Sequence, residues 1–260
     1  MKTSIIVIIL IGFIIYTPSF AQYQETIASD RPGQSNSPYT VGKMVLQLQT
    51  GVQFGGGNAD NYKRNDFEVP LFLRFGISDK IEINTFWGLR NTNTERFNQE
   101  FKSSGFNAAN FGLRFNIFEE TEKAPALGFE FTYKTKMVGE DFKPDYASAK
   151  FNIMASKRIS DLISLTANLG TDFDGYGDAP AGFYTLNLAL TVTDELSVFF
   201  ENYSFFNGDY FDTYFDFGGG YLINNNLQLD LYGGFGYNDD TFDYFVSGGV
   251  SYRITTWRKE

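Results

Sequence analysis

The chain of 260 residues contains no histidine and no cysteine, and only two tryptophans and seven prolines. Without histidine, a Ser-His-Asp triad, a His-activated cysteine and His-based zinc sites are excluded together, and most general acid/base arrangements with them. No enzymatic activity, metal or cofactor is therefore expected. Without cysteine no disulfide staples the fold, so stability rests on burial and hydrogen bonding. Past the first 21 residues no apolar run reaches the length of about 18 residues that a spanning helix needs. Positive charge is short as well: 21 Lys and Arg against 31 Asp and Glu leave a net charge of −10, so nucleic acid is not an expected partner.

What is present starts with an export signal. Met1-Lys2 precedes the apolar run Ile5 to Ile15, and Ser19-Phe20-Ala21 supplies a small-residue exit. Residues 1–21 are thus predicted to be a secretory signal peptide cleaved after Ala21. Cleavage removes Lys2 and leaves 20 basic against 31 acidic residues, a charge of −11. Residues 22–42 are polar and aperiodic, with Pro32, Gly33, Ser35, Ser37 and Pro38. They are expected to form an extended periplasmic lead-in or a small plug folded into the lumen described next.

From Lys43 onward hydropathy alternates. In "KMVLQLQTGVQF" Met44, Leu46, Leu48, Val52 and Phe54 share one face, and Lys43, Gln47, Gln49, Gly51 and Gln53 the other. Asp66 to Ile77 repeats this with Phe67, Val69, Leu71, Leu73 and Phe75 against Glu68 and Arg74. Segments of about ten residues with period two, separated by turn residues, are the signature of membrane-spanning strands. About twelve such segments fit into residues 43–260. Short connections such as Ser78-Asp79-Lys80, Ser160-Asp161-Leu162, Thr193-Asp194-Glu195 and Asn224-Asn225-Asn226 alternate with longer polar stretches, Gly55 to Asn65, Asn91 to Gly105, Val138 to Asp145 and Asp174 to Gly182. A hairpin barrel with short turns at one rim and loops at the other has this rhythm. The predicted fold is all-β: one transmembrane antiparallel β-barrel of about 12 strands in the cell outer membrane.

Which face looks inward decides the function. If lipid meets the apolar face, the charged face lines a lumen, and Arg74, Arg90, Arg114, Glu130, Lys150, Arg158, Glu201, Asp216, Asp230 and Arg253 are the predicted lumen-lining residues. A secreted soluble β-sandwich would invert this assignment. Aromatic residues near strand ends favour the membrane, since rings with a polar tip suit the headgroup level: Trp87, Tyr133, Tyr184, Tyr221, Tyr237 and Tyr252 are the predicted girdle, with Tyr214 and Tyr244 read the same way. Outer-membrane lipids are the expected surroundings. The last strand, "GGVSYRI", resembles the terminal signal by which barrel assembly machinery recognises its clients.

"ASDRPGQSNSPYTVGKMVLQLQTGVQF" resembles the start of the outer-membrane transporter family named after the meta-pathway of phenol degradation, the MetA-pathway-like β-barrels. Asp30-Arg31-Pro32, Ser37-Pro38 and Leu46-x-Leu48-x-Thr50-Gly51 carry the likeness, and "GISDKIEI", "VTDELSVFFENY" and Tyr244 to Ile254 extend it over most of the chain. The resemblance implies passage of small, hydrophobic or aromatic solutes through the barrel. Gln49 stands where that pattern leads one to expect an acidic residue.

Other motifs read more plainly. "TDFDGYGDAP" spaces Asp172, Asp174 and Asp178 as a calcium loop would, but the twelfth position is Phe183 instead of a bidentate Glu, and an ordinary solvated loop is expected. Gly55-Gly56-Gly57 and Gly218-Gly219-Gly220 lack the Lys and Ser/Thr of a phosphate loop. The carboxylates Glu130, Glu201 and Asp230 are expected to brace the wall, not to hydrolyse anything. The function carried forward is transport of a small-molecule solute. A structural or surface-adhesion barrel with a plugged lumen is the alternative.

Overall fold

Alternating strands settle into one closed ring, because a sheet inside a membrane can leave no unpaired edge. The computed structural model describes residues 25–255 except Asp178, Asp209 and Asp239. The signal peptide, its cleavage after Ala21 and the tail beyond residue 255 lie outside the described residues. The strands are β1 (Leu46–Ala59), β2 (Tyr62–Gly76), β3 (Ile81–Arg96), β4 (Gln99–Phe118), β5 (Ala126–Lys134), β6 (Ser148–Arg158), β7 (Ile163–Asp172), β8 (Ala181–Thr191), β9 (Leu196–Phe206), β10 (Phe211–Asn224), β11 (Leu227–Asn238) and β12 (Thr241–Ile254). Each pairs antiparallel with its neighbours in sequence, and β1 pairs with β12 to close the barrel. With a single ring and no second sheet facing it, the β-sandwich reading is overturned.

The apolar face looks outward. Phe54, Phe200 and Leu231 are 56, 51 and 66% exposed, whereas Arg74, Glu82, Arg114, Glu201 and Asp216 are fully buried. That inversion of a water-soluble core is what a hydrocarbon solvent requires, and it makes the chain a transmembrane barrel.

Two predicted loops turn out to be strand. Gly55–Asn65 and Asn91–Gly105 continue their hairpins, which turn only at Asp60-Asn61 and Phe97-Asn98. Asn61, Phe97 and Asn98 take φ of 56°, 49° and 61°, the left-handed backbone that tight two-residue hairpins demand. Polar side chains end the membrane-facing part of these strands without ending the ladder, since backbone pairing is indifferent to what the side chains carry. At its other limit, β1 starts at Leu46, because Met44 adopts a positive φ of 57°. Between β5 and β6 the loop carries a short 3₁₀ turn, Glu140–Phe142, tied back to β4 by the Ser104 N–H donating to Asp141 at 2.9 Å.

Candidate functional site

Residues 25–45 do not trail away from the barrel: they run through its interior. Their contacts go round almost the whole circumference. Arg253 on β12 donates to the carbonyls of Glu25 (2.7 Å) and Thr26 (3.1 Å). Asp30 accepts from Arg114 at 3.0 Å and sits 3.2 Å from Arg74. Arg31 forks onto Asp230 at 2.8 and 3.2 Å and lies over the Tyr232 ring. The Gln34 and Ser35 N–H groups donate to Glu201 at 2.7 and 3.0 Å, and Asn36 exchanges two bonds with the Asn168 amide. Finally the Val41 N–H donates to Glu82 at 2.9 Å. A segment with few apolar residues and no periodicity cannot pack by burial; it is held by polar groups that the wall presents to it.

The wall makes room for this segment. A methyl group added at Gly249 would come within 2.5 Å of the Arg31 guanidinium, and one at Gly128 within 2.8 Å of the Pro38 Cα. Glycine at these inward positions is what allows the segment to lie against the strands. The wall's own pairs are complete beside it: Arg74 forks onto Glu82 at 2.8 and 2.9 Å, and Arg114 reaches Glu130 at 2.6 Å.

Of the predicted lumen residues, Arg74, Arg114, Glu130, Glu201, Asp216, Asp230 and Arg253 are buried in the interior. Arg90 and Lys150 also face inward but are half-buried, nearer the long-hairpin end, where Arg90 pairs with Glu68 at 2.5 Å. Arg158 differs: it is exposed at the short-turn rim, where its N–H donates to Glu120 at 3.0 Å. The six girdle candidates point outward, Tyr221 and Tyr252 near the short turns, Tyr133, Tyr184 and Tyr237 near the long hairpins, and Trp87 close to the middle of β3. Tyr214 does not join them. It faces the lumen, stacked on Tyr203 at 5.1 Å with its hydroxyl toward Asp243. In the supposed calcium loop Asp172 is paired with Lys134 and Asp174 accepts the Tyr176 N–H, while Asp178 lies outside the described residues.

Two features were not anticipated. Asp30 and Arg31 of the lead-in join the interior network, and a run of rings lines the inner wall: Phe183, Phe205, Tyr203 and Tyr214 form one chain of contacts of 5.1 to 6.4 Å, and Phe199, Tyr232 and Phe245 a second of 5.5 to 6.3 Å. In "VFFENYSFF" both faces carry rings, so alternation cannot say which aromatics turn inward. The only signal was parity with Glu201.

Around the segment the interior is hollow. A vestibule of about 400 Å³ at the long-hairpin end shares Gln53 and Arg90 with a chamber of about 470 Å³. Across residues 31–37 lies a cavity of about 240 Å³, and β8 leads from it into a mouth of about 1200 Å³ at the short-turn rim. Gly33, Gln34 and Asn36 of the segment line the chamber, Pro32, Ser35 and Ser37 line the cavity, and Arg31 lines both.

The electrostatics of its docking follow from Asp30. Burial alone would push this carboxyl up, but Arg114 and Arg74 outweigh burial and hold it below the usual carboxylate range. A carboxyl lowered in the native state contributes its stabilisation fully above about pH 3.9, the value of a free Asp, and loses it as pH falls through the native value. Conductance of the reconstituted protein is therefore expected to be flat from pH 8 to 5 and to rise only below about pH 4; a rise already between pH 7 and 5 would show that other groups govern docking. Nearer the short-turn rim, burial, Glu120 and Glu119 push the Tyr39 phenol up to about 12, so it stays a neutral donor to Glu120 throughout that range.

A closed twelve-stranded ring with an apolar exterior and a charged, hollow interior defines an outer-membrane β-barrel. Residues 29–254 match the family described as "Putative MetA-pathway of phenol degradation", and the chain belongs to that family. Its fold is similar to that of the COG4313 outer membrane channel from Pseudomonas putida F1, with a TM-score of 0.70 at 9% identity over 86% of this chain and 100% of that one. The translocator domain of autotransporter NalP from Neisseria meningitidis gives 0.57 at 12% identity, over 86 and 90%. The KdgM porin in complex with disordered oligogalacturonate gives 0.51 at 11%, over 78 and 98%. No curated protein matches the sequence.

Proposed function

We propose that the protein is an outer-membrane conduit for small solutes whose lumen is closed at rest by residues 25–42, and that it has no catalytic role. The observation that supports this best is the row of cavities on both sides of the lead-in segment. A barrel serving only as a strut gains nothing from hollows lined by polar and aromatic side chains, whereas a solute path needs them. The segment is held by polar contacts without covalent attachment, so it can shift aside as a unit. The names of the similar structures, a channel and a porin among them, agree with this reading.

The rest of the assignment follows the same logic. Arg74, Arg90, Arg114, Glu130, Lys150, Glu201, Asp216, Asp230 and Arg253 act as lumen-lining groups, with Arg158 at the mouth. Trp87, Tyr133, Tyr184, Tyr221, Tyr237 and Tyr252 anchor the barrel at the two headgroup levels. Export uses the signal peptide, cleaved after Ala21, and assembly machinery reads the last strand through Tyr252 and Ile254.

Osmotic swelling of proteoliposomes tests the proposal. The full chain is expected to admit solutes smaller than the 470 Å³ chamber, and Asp230→Ala, which removes the carboxylate holding Arg31, to speed their passage several-fold. Equal swelling with and without protein, for both wild type and variant, would favour the structural barrel.

A further inference from the structure

The chamber on the long-hairpin side of the lead-in segment is lined by four acidic and four basic side chains, Asp30, Glu68, Glu130 and Asp172 against Arg31, Arg90, Lys134 and Lys150, but they are not all paired with one another. Each carboxylate that lines it already has a cation at salt-bridge distance. Glu68 has Arg90 at 2.5 Å, Asp172 has Lys134, Glu130 has Arg114 at 2.6 Å, and Asp30 has Arg114 at 2.9 Å and Arg74 at 3.2 Å. Arg31, on the same wall, is taken by Asp230 at 2.8 Å. Lys150 is left over. Among the described residues it has no ion pair and no hydrogen-bond acceptor; its ammonium lies 4.3 Å from the centre of the Phe183 ring. A ring face attracts a cation but brings no counter-charge, so an anion can bind at Lys150 without displacing a partner.

A second observation comes from across the lumen. Gln49 and Asn84 line the same chamber and are 1 and 3% exposed. Both amide atoms of Gln49 and the Nδ2 of Asn84 have no hydrogen-bond partner. Buried polar groups are rarely left unpaired unless something else satisfies them. Between these amides and Lys150 the chamber is lined by the Phe72 and Phe86 rings, 6.4 Å apart and tilted, whose faces offer a planar solute an apolar surface.

We infer that this chamber is a binding site for a small aromatic carboxylate, its carboxylate held by Lys150, its ring against Phe72 and Phe86, and a polar ring substituent at the amides of Gln49 and Asn84. The assignment deepens the conduit reading, on which the route to the chamber rests, by giving the chemical class of one solute. It also explains the sorting of charge. Asp172, its cross-strand neighbour, and Glu130 attract Lys150 but keep Lys134 and Arg114 as their bonded partners, and the three unpartnered amide atoms supply both donors and an acceptor for a hydroxyl or carbonyl at the far end of the ring.

Calorimetry on the detergent-solubilised full chain tests it, with benzoate as probe and acetate and benzamide as its two halves. Benzoate is expected to bind saturably, with acetate and benzamide each at least about tenfold weaker. Lys150→Gln should weaken benzoate at least about tenfold, bringing it to the level of benzamide, while Lys150→Arg keeps most of the affinity. Heat-modifiability on gels shows that each variant is folded, and the Arg variant keeps the test valid if the Gln variant is not. Equal binding of benzoate and benzamide, or an unchanged affinity in Lys150→Gln, overturns the anion site; equal binding of acetate and benzoate overturns the aromatic part. Failure of the conduit reading looks different: Lys150-dependent binding in detergent with no protein-dependent passage into liposomes leaves the site standing and removes only the route.

Discussion

A chain lacking residues 25–42 is expected to fold, insert and conduct at least about ten times better than the full chain. The wall does not depend on the segment for its own closure. All twelve strands pair with both neighbours through backbone bonds, and the inward ion pairs Arg74–Glu82 and Arg114–Glu130 lie within the wall itself. What the deletion removes is the chain lying between the chamber and the mouth, together with the Arg31–Asp230 and Asp30–Arg114 bridges. Water then replaces the lost partners of Glu201, Asp230 and Arg253. Single-channel recording in planar bilayers measures the outcome, with heat-modifiability as the control for folding. A folded deletion that stays electrically silent would show that the β5–β6 and β7–β8 loops close the lumen unaided, and would return the barrel to a structural role.

The second large effect concerns one carboxylate. Asp30→Ala leaves Arg74 and Arg114 fully buried, each with its wall carboxylate as the one remaining bonded counter-charge and Arg74 also on the Ala28 and Tyr39 carbonyls, and removes the acceptor of the Ser37 N–H. Taking one member out of a buried ion cluster typically costs about 3–5 kcal/mol, because the remaining charges lose a partner they cannot replace with water. Here that loss falls on docking and not on the barrel, since the strands are paired independently. The docking equilibrium should shift between about a hundredfold and a few thousandfold, seen as faster amide exchange confined to residues 25–42 while exchange in the strands is unchanged. Uniformly faster exchange would mean that Asp30 supports the barrel itself; unchanged exchange would mean that the backbone contacts to Glu201 and Asn168 suffice.

The sequence was most informative where a side chain's environment depends on parity alone. Gln47 and Gln49 alternate with Leu46 and Leu48, and the strand pleat leaves them no choice but opposite faces. It was less informative at strand limits. Gly55–Asn65 and Asn91–Gly105 look like loops because their polarity changes, yet their ladders run on to two-residue turns. On the aromatics of β9 it offered nothing beyond parity with Glu201. Phe199, Phe200, Tyr203 and Phe205 are chemically alike, but Phe200 meets the exterior and the other three the lumen. Arg158 shows the opposite failure: its parity is inward, but its strand ends there, and the rim exposes it to water.

The sequence by itself determined which side chains share a strand face, because period-two hydropathy is a property of successive residues and needs no knowledge of distant ones; closure of the ring and the outward turn of the greasy face came from the structure. Only the tertiary structure decided what fills the barrel. The meeting of Asp30 with Arg114, 84 positions away, and of Arg31 with Asp230, 199 positions away, is set by strand register and by how the lead-in crosses the lumen. No local pattern encodes such distances, and the lack of an ion pair at Lys150 is visible only once the carboxylates of its chamber have been matched to their cations.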